Sequence, residues 1–173
     1  MKSEDTFVRL GDLANGPVRR HLEADATERA VIAEQIGVET LASLSADFVV
    51  RPWMDGCEVK GRFQAEVIQI CGVTLEPFSQ SLEGEIELRF APPGSPSLVD
   101  PTEGEVEVSL DAPDPPDLLR DDKAPLDEIL LEHLALAVDP FPRRPDAVFQ
   151  WEPDNRESSP FAILKGRKGA ADQ

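Results

Sequence analysis

Apolar and polar residues alternate most regularly in the middle of the chain. From Cys57 to Cys71 the odd positions read Cys57, Val59, Gly61, Phe63, Ala65, Val67, Gln69 and Cys71, and the even ones begin Glu58, Lys60, Arg62, Gln64, Glu66. A period of two is that of a half-buried strand. Residues 47–53 form a preceding run that ends at Met54-Asp55-Gly56, and Asp-Gly predicts a hairpin turn. In a third run Gln80, Leu82, Gly84, Ile86, Leu88 and Phe90 alternate with Ser81, Glu83, Glu85, Glu87 and Arg89, and Glu76-Pro77 marks the connection before it. Val106, Val108 and Leu110 predict a last strand with an acidic face.

The flanks are read from weaker signals. Residues 7–10 and 18–22 predict short strands separated by the turn Asn15-Gly16-Pro17. Asp25-Ala26-Thr27-Glu28 opens a helix, capped by Asp25 or Thr27, which Gly37 stops. The spacing of Leu41 and Leu44 predicts a further helical turn. Residues 91–100 and 111–123 are rich in turn formers and read as loops. After them, with Pro125 near its first turn, comes a helix that places Leu126, Ile129, Leu130, His133, Leu134 and Ala137 on one face. Leu131, Ala135, Leu136 and Val138 make it apolar nearly all round. That composition predicts a helix sandwiched in the core, the alternative being one that covers a partner surface. The fold class expected is α+β: an antiparallel β-meander or small open barrel, with an N-terminal helix and a C-terminal apolar helix packed on it. Residues 1–6 read as a flexible N-terminus and 7–145 as one domain containing the acidic, Pro-rich loop 111–124. Residues 146–173 read as a mostly irregular tail, with one helical turn near residues 161–164.

Charge changes the picture. The chain has 173 residues and a net charge of −17. Residues 83–139 hold 16 acids against Arg89, Arg120 and Lys123, whereas the other 116 residues carry 18 acids and 14 bases. A chain this acidic is a poor general binder of polyanions, because counterion release needs Lys and Arg at the phosphates, and anionic membrane surfaces are disfavoured on the same grounds. No run approaches the ~18 apolar residues of a membrane helix, and the acidic start Met1-Lys2-Ser3-Glu4-Asp5 does not read as a signal peptide. A cytoplasmic protein is the expectation.

Candidate chemistry is sparse. Cys57, Cys71, His21 and His133 match no zinc spacing. On one extended strand the two cysteines would lie about 46 Å apart, so they read as two reduced core thiols and the histidines as structural. No metal, cofactor or catalytic residue is expected, and no phosphate loop, dinucleotide fingerprint or nucleophile elbow is present. Glu83, Glu85 and Glu87, like Glu103, Glu105 and Glu107, share one strand face and read as a solvated outer face. Arg143 and Arg144, and Lys165, Arg167 and Lys168 in the tail, are small basic clusters able to contact phosphate locally despite the acidic segment.

At Gln69-Ile70-Cys71-Gly72-Val73-Thr74-Leu75-Glu76-Pro77-Phe78 the sequence resembles the YceD family of large ribosomal RNA accumulation proteins, in its alphaproteobacterial form. Gly61, Ala65, Gln69, Cys71, Leu75, Glu76 and Pro77 fit its strand and turn motif. Asp127, Glu132, Leu134 and Leu136, with the exit Asp139-Pro140-Phe141-Pro142-Arg143, resemble its helix motif, and residues 159–165 resemble its closing segment. Thr74 stands where the family's second motif cysteine would be, which weakens any metal or redox role for a cysteine pair. The resemblance implies a non-enzymatic factor for synthesis, processing or stability of 23S ribosomal RNA and for large-subunit assembly. Its partner would be precursor 23S RNA or an RNA–protein assembly intermediate, contacted through Arg143, Arg144, Lys165, Arg167 and Lys168. One alternative is an acidic partner of a basic ribosomal protein, using Glu103, Glu105 and Glu107 without RNA contact. Another, from a different class, is a small metal-dependent hydrolase, for which no carboxylate cluster converges by sequence. Oligomeric state is left open.

Overall fold

The computed structural model describes residues 6–98 and 114–149. In chain order these form β1 (Phe7–Arg9), a 3₁₀ helix (Leu10–Asn15), β2 (Val18–Glu23), α1 (Ala26–Ile36), β3 (Thr40–Trp53), β4 (Gly56–Ile70), β5 (Pro77–Ala91), β6 (Asp117–Leu118), β7 (Lys123–Pro125) and α2 (Leu126–Ala137). The class is mixed α+β, as expected. Strands β2, β3, β4 and β5 are antiparallel neighbours in chain order, and the two-residue β6 adds in parallel beyond β5. The order is linear and no closed barrel forms. A separate ribbon joins β1 to β7.

The long strands arise where period-two alternation is longest. Val59, Phe63, Ala65 and Val67 of β4 are buried, as are Leu82, Ile86 and Phe90 of β5. They face α1 and α2, while the opposite sheet face carries the polar residues. Two glycines let this inner face hold large rings. Gly61 lies directly opposite Phe48, and Gly84 opposite Phe63. A Cβ at Gly61 would fall 2.6 Å from the Phe48 ring, and one at Gly84 would fall 2.5 Å from Phe63. Each ring occupies the space its partner lacks, and each fully buried phenyl contributes about 1.5–3 kcal/mol.

The N-terminal helix starts and stops as its sequence directs. Asp25 Oδ1 accepts from the amides of Thr27 and Glu28 at 2.8 and 2.9 Å, and Glu28 Oε2 accepts from the Asp25 amide at 2.8 Å. This reciprocal capping box makes Asp25, not Thr27, the cap. Gly37 ends the helix at φ +72°.

Three expectations are corrected. Leu41 and Leu44 lie in β3, not in a helical turn. The register with β4 shifts between Leu41 and Ser43, so a bulge sets two inward-facing leucines three positions apart, and that spacing imitates a helix. The 3₁₀ helix begins at Leu10, expected to end a strand, and runs to Asn15, while β6 lies within the expected loop 111–123 and β7 starts at its last residue. Finally, α2 is not sandwiched. Leu126, Ile129, Leu130 and Leu134 are buried, but Leu136 is 78% exposed. Pro125 sits at its N-cap, next to the first turn as expected. The strand expected over residues 106–110 and the turn near 161–164 lie outside the described residues.

Candidate functional site

Both sequence motifs meet at one end of the sheet. There β4 leaves its pairing with β5 and enters a tight connection over residues 71–76, closed by Cys71 N–H donating to the Glu76 carbonyl at 2.9 Å and Leu75 N–H to the Cys71 carbonyl at 2.8 Å. Leu75 takes a left-handed conformation, φ +60°. The proline-rich exit of α2 then runs across this turn. Proline cannot continue the helix, and the released chain docks by its backbone. Gln69 Nε2 donates to the Asp139 carbonyl at 3.1 Å, and Gly72 N–H donates to the Pro142 carbonyl at 2.9 Å.

Cys71 is the hub of this crossing. Its side chain is completely covered, and Sγ accepts from the Thr74 amide at 3.5 Å and from the Arg144 amide at 3.4 Å. The Thr74 hydroxyl oxygen is buried in the same turn with no hydrogen-bond partner among the described residues. That hydroxyl, then the Arg144 and Thr74 amides, pull the thiol from an ordinary value near 9 down to about 6, against an opposing contribution from burial. The donors around the sulfur favour the thiolate form.

Arg144 fastens the strap from outside. Its guanidinium bonds Glu76 at 2.8 Å and Asp146 at 2.6 Å, and both acids, Asp146 foremost, raise its pKa further. Glu76 thus gains a specific role: the turn's acid clamps the arginine whose amide holds the turn's cysteine. Gln69 is 5% exposed, and its Oε1 has no partner among the described residues.

The other singled-out residues lie elsewhere. Gly61 is in the middle of the sheet. Asp127 is in the first turn of α2, where its carboxylate accepts from the Glu128 amide at 3.0 Å, and Glu132 is exposed further along that helix. Pro77 opens β5, and Pro140 and Pro142 lie in the strap. Arg143 is exposed beside Arg144. Lys165, Arg167, Lys168, Glu103, Glu105 and Glu107 lie outside the described residues. Cys57 is also buried but sits among apolar side chains, where desolvation pushes its thiol up to about 11. Among the described residues no three His, Cys, Asp or Glu side chains converge as metal ligands. His133 Nδ1 donates to the Ile129 carbonyl at 2.9 Å, and His21 Nδ1 lies 2.8 Å from Asp47 Oδ1 on the open sheet face.

That open face also shows what the acidic run of β5 does. Glu87 pairs with Lys60 at 3.0 Å, Glu85 pairs with Arg62, and Arg89 reaches Glu58 at 3.6 Å. The register places these partners directly opposite one another, so the acids form a cross-strand charge ladder. Arg19 and Arg51 are exposed on the same face. Sequence reasoning did not group them with Lys60, because only the strand pairing brings the three together, Arg19 opposite Val49 and Val49 opposite Lys60. Among the described residues no helix is long and apolar enough to cross a membrane. No protein-family model, curated protein or solved structure matches this chain.

Proposed function

We propose that this chain is a non-enzymatic factor of large ribosomal subunit assembly, which supports the synthesis, processing or stability of 23S ribosomal RNA by binding RNA or an RNA–protein intermediate. The observation that carries the reading is the meeting of two motifs far apart in sequence. Gln69, Cys71 and Glu76 from the strand and turn motif are bonded to Asp139 and Arg144 at the exit of the helix motif. Residues shared with the family on resemblance thus build one local structure, and that structure presents Arg143 at the surface.

A second reading is favoured by the state of Arg144. Its side chain is committed to Glu76 and Asp146, which leaves Arg143 as the exposed cation of that pair. An acidic partner for a basic ribosomal protein needs no such cation, and the 16 acids of residues 83–139 would speed its encounter and repel anionic competitors.

Affinity capture of the full chain from lysate, with and without RNase and at two salt concentrations, separates the two readings. RNA binding predicts capture of 23S sequences that weakens with salt and with Arg143→Ala. Protein binding predicts RNase-resistant capture of one basic ribosomal protein, weakened by neutralising Glu103, Glu105 and Glu107 and indifferent to Arg143→Ala. Recovery of neither ribosomal RNA nor ribosomal protein would falsify both.

A further inference from the structure

Between α1 and the first turns of α2 lies an open groove of about 330 Å³. Val31 and Ile32 line it from α1, Leu130 and Leu131 from α2, and Leu44 from the sheet beneath. Val31 is 52% exposed, high for a β-branched apolar residue beside an apolar surface. The charged part of the lining has one sign: Glu28, Asp127 and Glu128 border the groove, and among the described residues no Lys, Arg or His does. An occupant that fits is apolar in its body and cationic at one end.

Two stretches of the chain outside the described residues offer apolar side chains, and charge separates them. Residues 99–113 carry Asp100, Glu103, Glu105, Glu107 and Asp111 with no base, and bringing them to an acid-bordered groove sets like charges together. Residues 159–168 read Ser-Pro-Phe-Ala-Ile-Leu-Lys-Gly-Arg-Lys, four apolar residues followed by three cations and no acid. We infer that the groove is the docking site of this chain's own segment 161–168. Phe161, Ile163 and Leu164 supply the apolar body against Val31 and Leu131, and Lys165, Arg167 and Lys168 face Asp127 and Glu128. The tether is long enough. From Phe149, the last described residue, to Phe161 the chain can span about 40 Å, whereas a domain of this size has a radius of gyration of about 14 Å. Because the segment is attached, its effective concentration is about millimolar, so a contact too weak to capture a free peptide still fills the groove. Docked in this way, the three cations are held at acids and withheld from phosphate.

The test uses the full, isotope-enriched chain with a nitroxide on Gly166→Cys, referenced to the unsubstituted chain treated alike. The expected result is loss of amide signals from residues 27–35 and 127–131, recovered on reduction of the nitroxide, while exposed residues of the open sheet face far from the helices, Asp47 and Arg62, keep theirs. Adding Phe161→Ser and Ile163→Ser should restore the lost signals. Unchanged signals in the groove, or equal loss on both sheet faces, overturn the assignment. Loss that persists when unenriched labelled chain is mixed with enriched unlabelled chain gives the groove to the segment of a second copy and overturns it as well.

Discussion

The two ends of β4 each carry a buried cysteine on the same sheet face, and their surroundings drive the two thiols in opposite directions. At the hairpin end Cys57 is 1% exposed among apolar side chains, and its thiol is pushed up to about 11. At the other end Cys71 is 0% exposed, and its thiol is drawn down to about 6. Burial alone does not set the chemistry of a side chain; the orientation of the covering groups does. Apolar cover disfavours the anion, whereas backbone N–H groups aimed at the sulfur favour it. The lesson extends to the fold. The Cys57 end is a hairpin paired on both sides within the sheet, and the Cys71 end is held by hydrogen bonds between a turn and a proline-rich strap.

The contrast can be broken by moving charge. Cys57→Asp should be the most damaging change, costing about 3–5 kcal/mol in denaturant unfolding because it buries an unpaired carboxylate. Cys71→Asp should cost less, since amide donors already face that position, and equal costs at the two ends would break the comparison. Between the ends, Gly61→Val should cost about 1–3 kcal/mol by driving a side chain into the Phe48 ring, and Phe48→Leu in the same chain should recover part of the loss. Arg144→Gln should lower stability least, by about 0.2–1 kcal/mol, as for an exposed ion pair. It should nonetheless speed alkylation of Cys71 and leave Cys57 unchanged, which sharpens the view that the arginine locks the strap.

Much of this was legible in the sequence, though unevenly. The alternation from Val59 to Val67 and the capping box at Asp25 specify β4 and the start of α1, because side-chain type alone carries both signals. Leu41 and Leu44 were misread because a bulge changes the inward spacing from two to three, and nothing local marks the inserted residue. The apolar circumference of α2 overstated its burial: Leu136 faces outward beside the strap. At the candidate site Gln69, Cys71 and Glu76 stood out by resemblance to a family motif, but the state of the thiol did not. The donors that set it are backbone amides, one of them 73 residues away at Arg144, and an amide has no residue-type signature. The ion pairs of the Arg144 side chain with Glu76 and Asp146 likewise have no local signal, since Glu76 lies 68 residues away.

Acidity separates the ends in stability as well as in reactivity. Cys71 has a folded pKa below its unfolded value near 9, so its contribution is fully present above pH 9 and is lost as pH falls through about 6. Cys57 has a folded pKa above that value, so its contribution is present below pH 9 and is lost as pH rises through about 11. The most direct measurement is a titration of both cysteine Cβ resonances in the folded full chain, assigned with Cys57→Ala and Cys71→Ala. The account predicts that Cys71 titrates near 6 and Cys57 near 11. Two thiols titrating together near 9 would contradict it.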